Sequence, residues 1–581
     1  MKRIIFTITM AIILAGGTLF AACAEKPTPA PTPTPAPKPS PAPAPAPTPK
    51  PEGPVYGGVL RSAALDDAPS YDSMRSSTTR IQSHAATAFS GLVRTDPMKE
   101  AVSVENMIPD LAESWDISPD GKVYTFYLRK GVKWHDGETF TAEDAKYSLD
   151  KFRDPALSAF AASIEPVEKV EIVDDYTVKV YFKYVYPPFL MMIAPPYFTV
   201  QPEHLKDVSI KDTKFLTGTG PFMFKSRIPG KVTIYERNPD YFVEGLPYLD
   251  GHQIYAMTRD SLVSAFVAGR LDVGGTLRNY FMGVENIKKA QQFAPEAVMR
   301  FQPKGTTRGV IFNLQREGPW QDLRVRQAMA LVVDYEGTVM AAFGGTPAET
   351  GYIAPCGYVD FSVPEALPLA DVKKLLGLDQ PMEARIDRAK ALMAEAGYPN
   401  GFSTTLLTLE TDIYTAVCLL VSDLWKRYLN IDMEVDMVDA ALVFDRQETG
   451  QFDMAYITTG SASGIWISEF LTNMVTGEYA NSGRWSNAEF DQLYSQIQEE
   501  VNTQKRIELA RKAQTIAFSE LPYLPFQAPS VGTAWRPDLM TGWPPKQGIV
   551  FQPSYSTLQS ISHIWFAGTP DAEKWIKTQK K

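Results

Sequence analysis

Histidines, cysteines and serine-containing loops are the places where this 581-residue chain could do covalent or metal chemistry. The nearest approach to a serine nucleophile elbow is the run 460–464, Gly-Ser-Ala-Ser-Gly, which has alanine at the position that requires serine. The chain contains no His-Glu-x-x-His, no Cys-x-x-Cys and no glycine-rich phosphate loop. Its five histidines are scattered: His84, His135, His204, His252 and His563. We therefore predict no catalytic residue, no metal ligand and no cofactor.

The most enzyme-like fragment is His135-Asp136-Gly137. Asp-Gly is a frequent turn sequence, and it follows a short apolar run that ends at Trp134. We interpret the fragment as a turn with His135 beside it rather than as a catalytic dyad.

Cys23 follows a leader. Lys2 and Arg3 precede an apolar run from Ile4 to Phe20, and Ala21-Ala22 lead directly to the cysteine. This order is typical of a secretory signal, and its end resembles the bacterial lipobox, in which the cysteine is acylated. An uncleaved anchor helix is the alternative, and either would put the body outside the cytoplasm. We predict a signal peptide over residues 1–22 and a lipid on Cys23 that anchors the protein to the cell membrane.

Prolines dominate the next segment. Fourteen of them fall between Pro27 and Pro54, so this stretch favours an extended polyproline II spacer instead of a packed core. We predict a linker over residues 23–56 that holds the body away from the membrane.

The body carries a net negative charge. Residues 55–581 contain 52 basic and 65 acidic residues, a net charge of −13, whereas a nucleic-acid-binding surface would need a basic excess. No second long apolar run follows the leader. We expect neither nucleic-acid binding nor a polytopic membrane protein.

Strand and helix patterns alternate along the body. Pro119-Asp120-Gly121 predicts a hairpin turn, and Thr141 with Asp144 predicts a capping box that opens a helix. From residue 403 onwards a strand, a helix, a strand, a short helix and a strand follow one another. This alternation predicts an α/β fold, in which ligands bind at the carboxyl ends of the strands.

Cys356 and Cys418 are the remaining thiols. The sequence leaves open a disulfide between them, or a buried Cys418 with an exposed Cys356.

Several short segments occur together in a recognisable order. They are Gly57–Arg61, Ile108–Trp115, Ser118–Gly121, Gly131–Gly137, Thr141–Asp144, Gly218–Phe222, Glu236–Tyr241, Phe312–Asn313, Arg324–Ala328 and Glu395–Gly401. This set resembles the signature of the family 5 extracellular solute-binding proteins, the peptide- and nickel-binding lipoproteins of bacterial ABC importers.

The resemblance implies two α/β lobes joined by a hinge, with a subdomain inserted in the first lobe. We assign residues 57–303 and 522–581 to lobe one, about 85–205 to its inserted subdomain, and 304–521 to lobe two. It also implies a monomer that closes on a small solute and docks on an ABC permease with its ATPase subunits. Ligand presentation to a membrane sensor and, last, a secreted hydrolase are the alternatives.

One departure from the family pattern concerns the ligand. Peptide-binding members have an aspartate for the ligand's amino group in the loop that corresponds to residues 458–466, and here that loop has none. A buried ammonium without a counter-charge is costly, unless an acid such as Glu469 substitutes. Peptide remains the default solute, with oligosaccharide and metal chelate as alternatives.

Aromatic residues and arginines in the matching regions are the candidate ligand contacts, because rings stack on solutes and arginine holds carboxylates. They are Tyr71, Arg308, Asn313, Tyr352, Trp466, Arg484 and Trp485.

Overall fold

The computed structural model describes residues 54–65, 67–75, 79–96, 104–195, 198–274, 284–295, 297–303, 306–350, 352–359, 363–460, 467–528, 530–536, 539–541, 562 and 564–566. The chain separates into Met1–Pro49 and Lys50–Lys581, and every described residue belongs to the second unit. Cys23 and most of the proline-rich segment therefore lie outside the described residues.

Most of the helices and strands described up to residue 200 are short strands. Its elements are β1 (Val59–Leu65), α1 (Thr79–Ala88), β2 (Val93–Thr95), β3 (Met107–Pro109), β4 (Ala112–Ile117), β5 (Val123–Leu128), α2 (Ala142–Arg153), β6 (Val167–Asp174), β7 (Thr177–Phe182) and α3 (Phe189–Met192). Strands β4, β5, β7 and β6 form one four-stranded sheet in that order.

Two local predictions in this region are confirmed. Strands β4 and β5 pair as an antiparallel hairpin, with Trp115 opposite Phe126. Thr141 is the N-cap of α2, and the Asp144 carboxylate accepts the Thr141 backbone N–H at 2.9 Å, which completes the capping box. Turn and cap chemistry fixes these elements because the interacting groups are close in sequence.

Residues 222–303 add strands that join β1. They form β8 (Phe222–Ile228), β9 (Val232–Arg237), β10 (Gly251–Met257), α4 (Arg259–Val267), β11 (Val273–Gly274), α5 (Val284–Phe293) and β12 (Val298–Pro303). The sheet order is β1-β10-β9-β8, and β1 runs parallel to β10.

The remaining elements begin at residue 306. They are β13 (Thr306–Phe312), α6 (Leu323–Leu331), α7 (Tyr335–Phe343), α8 (Pro347–Thr350), α9 (Leu369–Leu375), α10 (Met382–Glu395), β14 (Ser403–Leu409), α11 (Asp412–Leu429), β15 (Asp432–Val438), α12 (Ala440–Thr449), β16 (Met454–Gly460), α13 (Ile467–Leu471), α14 (Ala488–Glu499), α15 (Thr503–Glu520), β17 (Tyr523–Gln527), β18 (Ser530–Trp535), β19 (Leu539–Thr541) and β20 (Ile564–Phe566). The alternation predicted from residue 403 onwards is confirmed.

A five-stranded sheet organises this second region in the order β15-β14-β16-β13-β17. Strand β14 is parallel to both β15 and β16, whereas β13 is antiparallel to β16 and β17. Helix α11 connects β14 to β15 and buries Val417, Val421 and Trp425. The fold is therefore mixed α/β, as predicted.

Strand β17 belongs to the sheet of the second region. Residues from 522 onwards are predicted to belong to lobe one, whereas residues 523–527 pair with β13. The next strand, β18, pairs with β11 and β12 instead. The described chain thus changes sheets between β17 and β18.

Both described thiols are buried. Neither Cys356 nor Cys418 is disulfide-bonded, and each has no exposed surface. The expectation of an exposed Cys356 is wrong, because this residue packs inside the protein although its sequence neighbourhood is a loop. Burial raises the pKa of Cys418 to about 12, so its thiol stays protonated and unreactive.

Candidate functional site

The candidate site lies where the chain passes between two sheets. Strands β12 and β18 pair in one sheet, and β13 and β17 pair in the other. Only residues 304 and 305 separate β12 from β13, and only 528 and 529 separate β17 from β18. The chain therefore changes sheets twice within a few residues of the beginning of β13.

The beginning of β13 also lies at the edge of the second sheet where the parallel strands end. Because β13 is antiparallel to β16, Thr306 pairs with Gly460 and Arg308 pairs with Thr458, near the carboxyl end of β16. Strand β14 ends on the same side because it is parallel to β16. This edge is where α/β folds place their ligands.

Arg308 is a cationic group at this edge. It is half-buried, and its Nε donates a hydrogen bond to Thr458 Oγ1 at 3.3 Å. Its Nη1 is buried and has no hydrogen-bond partner among the described residues. An unpaired buried polar group costs about 1–3 kcal/mol, so an anion that accepted a hydrogen bond from Nη1 would remove a standing cost.

Aromatic rings surround the Arg308 guanidinium. Its Cζ lies 5.4 Å from the centre of the Tyr414 ring and 5.8 Å from that of Phe343. The Phe343 ring in turn packs on Tyr352, with 3.9 Å between ring centres. Cation–π contacts of this kind hold a guanidinium in place without neutralising its charge.

Two hydroxyl groups complete this edge. The Tyr414 hydroxyl is hydrogen-bonded to Thr458 Oγ1, and Thr458 is exposed. Tyr414 lies in the first turn of α11, directly after the carboxyl end of β14. The edge therefore presents one guanidinium and two hydroxyls beside an aromatic wall, a set that suits a carboxylate next to an apolar body.

A cavity lies on the other face of the same sheet edge. It is small, and its walls include Ile311, Thr459, Phe470, Met474 and Tyr523. Thr459 and Thr458 point to opposite faces because side chains alternate along a strand. This mainly apolar cavity is separate from the aromatic wall around Arg308.

Arg308 differs from the other arginines of residues 304–521 in its partners. Arg316, Arg324, Arg388, Arg427, Arg446 and Arg506 form ion pairs with carboxylates. Arg326, Arg385, Arg484 and Arg511 donate to main-chain carbonyls. In the described part of this region, Arg308 is the arginine for which neither kind of partner is found.

Two predicted contacts are placed inside the protein. The Asn313 amide donates to the Gly450 carbonyl at 3.0 Å and to the Phe452 carbonyl at 2.9 Å. Trp485 is buried, and its Nε1 donates to Glu520 Oε2 at 2.7 Å. Both side chains have their hydrogen bonds satisfied within the fold.

The other predicted contacts are dispersed. Arg484 has a left-handed backbone with a φ of 56°, and its Nη2 donates to the Glu448 carbonyl at 2.8 Å. Tyr71 is 1% exposed and packs edge-on against His84, near β1 rather than near β13. Trp466 lies outside the described residues. Of the seven predicted contacts, the structure brings Arg308 and Tyr352 into one cluster.

Glu469 is the predicted substitute for the aspartate that is missing from residues 458–466. It lies on α13 and is half-buried. Burial of Tyr186 and Tyr494 raises their pKa values, and the charge of Glu469 contributes to both increases. Glu469 is therefore near tyrosines of two other elements, and no hydrogen bond or ion pair joins it to Arg308.

The His135-Asp136 fragment forms no dyad. His135 Nε2 lies 3.0 Å from the Gly220 carbonyl oxygen, and His135 Nδ1 accepts the Gly218 N–H at 3.2 Å. Asp136 instead contacts His204 Nε2 at 2.9 Å. Gly137 has a φ of 95°, which fits the predicted turn.

Tyr414, Thr458 and Phe343 were not predicted. Tyr414 and Thr458 could have been found from the rule that ligands bind where parallel strands end, because both flank such ends. Phe343 has no comparable signal, since it reaches Arg308 from the end of α7 through folding alone.

Among the described residues, no group of three or more histidine, cysteine, aspartate or glutamate side chains could hold a metal ion. The helices of the described region are all too short or too polar to cross a membrane.

Comparison with protein families gives a match over most of the body. The profile described as "Bacterial extracellular solute-binding proteins, family 5 Middle" matches residues 106–482.

Individual proteins resemble the chain over similar lengths. The probable deoxycholate-binding periplasmic protein YgiS of Escherichia coli K12 is 25% identical over 441 residues, covering 72% of this chain and 79% of that protein. The di/tripeptide-binding protein 2 of Pseudomonas aeruginosa UCBPP-PA14 is 27% identical over 474 residues, covering 74% and 82%.

Solved structures share the fold. The unliganded open form of the periplasmic murein tripeptide-binding protein MppA matches with a TM-score of 0.74 and 21% identity, over 90% of this chain and 100% of that one. HbpA2 from Haemophilus parasuis matches with a TM-score of 0.73 and 20% identity, over 88% and 100%. The predicted two-lobed α/β fold is confirmed.

Proposed function

Because the chain belongs to the bacterial extracellular solute-binding proteins of family 5, we propose that it is the solute receptor of an ABC importer. It captures a small solute between two closing lobes and delivers it to the permease. The observation that carries this proposal is the edge of the β13–β16 sheet. There a guanidinium nitrogen without a partner, two hydroxyls and an aromatic wall lie beside the two points at which the chain changes sheets.

The lobes follow from those two points. Lobe one comprises residues 57–303 and those after 529, and lobe two comprises 306–528. This division moves β17 from the first lobe to the second, since β17 pairs with β13. Two adjacent strand connections can act as a hinge, because few φ and ψ angles need to change when the lobes close.

Family membership narrows the solute without fixing it. The relatives reported above are named for deoxycholate and for di- and tripeptides. A peptide is the default solute, and the loop at 458–466 contains no aspartate to hold its amino group. The solute is therefore held by contacts other than the amino-group pair.

The leader and the linker place the receptor outside the cytoplasm. The apolar run to Phe20 is a secretory signal, Cys23 carries the lipid and the prolines after it act as a spacer. Replacement of Cys23 by alanine should move the protein from the membrane fraction to the soluble fraction, and labelling with a radioactive fatty acid should disappear. Membrane retention of the Cys23→Ala variant would favour the uncleaved anchor helix.

Mass spectrometry under native conditions tests solute binding. The full chain purified gently in detergent should show a stoichiometric mass increment that disappears on denaturation, since closed lobes retain their solute. A solute at 100 times its dissociation constant should add about 2.7 kcal/mol to the free energy of unfolding. If no increment appears and no solute raises the melting temperature, the protein is not a solute receptor.

The importer partnership needs its own experiment. The receptor, the permease and the ATPase subunits are placed together in proteoliposomes, and uptake of the bound solute is measured. Uptake should require the receptor and ATP. Binding of solute without any uptake would favour the alternative of a receptor for a membrane sensor.

A further inference from the structure

We propose that Arg308 selects solutes that carry a carboxylate next to an apolar group. This inference rests on the proposed function, since it assigns the class of solute to the site at the edge of the β13–β16 sheet. The first support is the hydrogen-bond inventory of Arg308. Its Nε has a threonine hydroxyl as acceptor, and its buried Nη1 has no acceptor among the described residues.

The partners of the other lobe-two arginines give the second support. Every other described arginine of this lobe donates to a carboxylate or to a main-chain carbonyl, Arg446 to Asp436 and Arg326 to the Glu520 carbonyl for example. Buried charges in folded proteins are paired, so a guanidinium whose buried Nη1 lacks an internal acceptor at a cleft edge points to an external acceptor for that nitrogen.

The surroundings of Arg308 indicate which anion fits. The Tyr414 and Thr458 hydroxyls are the neighbouring polar groups. Because they are hydrogen-bonded to each other, one of their two protons remains for an anion, and no second cation hydrogen-bonds to this pair among the described residues. One guanidinium and two hydroxyls match the single charge of a planar carboxylate, whereas a phosphate dianion calls for more positive charge. The rings of Phe343 and Tyr352 form an apolar wall beside it.

The same geometry explains how a solute could bind without the usual aspartate. A solute anchored at its carboxylate has no need of an acid for an amino group. An acylated peptide, or an amphipathic acid without any amine, then fits as well as a free peptide. The expected preference is therefore for the acid function, with indifference to the presence of an amine.

Competitive capture from a defined pool tests this inference. The pool contains tripeptides and aryl-alkanoic acids with and without an N-acetyl or amino group, each acid accompanied by its primary amide, together with neutral oligosaccharides. The full chain is incubated with the pool and separated by gel filtration. Captured compounds, and any compound retained from the host, are identified by mass spectrometry.

We expect the wild-type protein to capture acids and to discriminate against the matching amides at least about tenfold, as for a charge-assisted hydrogen bond. The Arg308→Gln variant should lose this discrimination, and Arg308→Lys should recover part of it. Arg388→Gln is the matched control, because Arg388 is exposed on α10 and pairs with Glu395, so capture should be unchanged. Melting temperatures of all variants without solute verify that they fold.

Each outcome has one meaning. Capture of amides or sugars as readily as acids overturns the role of Arg308 while solute binding stands. Acid capture that survives in a folded Arg308→Gln variant overturns it as well. If the wild-type protein captures nothing from the pool and retains nothing from its host, the proposed function itself fails and this inference falls with it.

Discussion

Two arginine–tyrosine pairs in this protein look alike and differ in one partner. The Arg227 guanidinium lies 5.7 Å from the centre of the Tyr71 ring, and the Arg308 guanidinium lies 5.4 Å from the centre of the Tyr414 ring. Each guanidinium has one buried nitrogen without a partner. Arg227, however, forms an ion pair with Asp67, whereas within the described part of the chain Arg308 has only the Thr458 hydroxyl as a hydrogen-bond partner.

The difference separates a structural cation from one that is available to a solute. Asp67 neutralises Arg227 and also accepts the Gly230 N–H at 2.9 Å, so it ties the end of β1 to the β8–β9 turn. Tyr71 and His84 pack beneath this pair and are nearly inaccessible. Arg308 has the same aromatic support at an open edge and lacks the internal carboxylate.

The largest predicted effect concerns His84 and His252, two buried histidines of the region that contains Arg227. Burial lowers the pKa of His84 to about 4, with opposing effects of Asp67 and Arg227, and burial together with His84 lowers that of His252 to about 3. The unfolded chain binds these protons near pH 6.5, so stability is complete above that pH and declines as pH falls towards the folded pKa values. Each histidine should remove about 3 kcal/mol of unfolding free energy by pH 4.

Urea unfolding at pH 7.5, 6, 5 and 4 measures this decline. The His84→Gln variant, compared with itself across the series, should show a shallower decline than the wild type. Solute capture at the Arg308 site should stay constant between pH 7.5 and 6, because neither histidine belongs to that site. A constant free energy of unfolding from pH 7.5 to 4 would contradict the burial of His84 and His252.

The second prediction concerns the non-aromatic partner of each arginine, which is Asp67 for Arg227 and Thr458 for Arg308. Asp67→Asn leaves Arg227 without its carboxylate, and because the pair is partly exposed the expected loss is about 1 kcal/mol of unfolding free energy. Thr458→Val, at an exposed position, should change stability by less than about 0.5 kcal/mol. Chemical denaturation of both variants makes the comparison. Equal losses would mean that the two arginines play the same structural role.

The smallest effect removes one hydroxyl from each tyrosine. The Tyr71 hydroxyl is buried and unpartnered among the described residues, so Tyr71→Phe should be neutral or slightly stabilising. Tyr414→Phe keeps the ring over Arg308 and removes one donor, so acid capture should weaken by about threefold. Capture assays on both variants decide whether Tyr71, a predicted ligand contact, touches solute; a loss in Tyr71→Phe would show that it does.

Local sequence patterns predicted elements whose determinants are close in the chain. The turn at residues 119–121, the Thr141 capping box and the alternation from β14 to β16 all appear where expected. In each case the turn residue, the cap or the apolar periodicity acts within a few residues, so tertiary packing had little to overrule.

The predicted ligand contacts stay predictions, and the structure places most of them apart from one another, because aromatic and cationic side chains look the same in sequence whether they line a pocket or a core. Trp485 and Asn313 fill hydrogen-bonding positions inside the protein, while Tyr414 and Phe343, which were not predicted, surround Arg308. The groups around Arg308 come from β13, α7, α11 and β16, which are spread over residues 306–460 of the chain.

The sequence by itself predicted a leader and a proline-rich spacer, and it determined the α/β alternation and the family, since each depends on composition or on short motifs. Only the tertiary structure decided that Arg227 has a carboxylate partner and that Arg308 has none among the described residues. It also decided that the second change of sheets follows β17. The physical reason is that the pairing of a charge and the pairing of a strand depend on distances between atoms, and folding sets those distances between residues that the sequence keeps far apart.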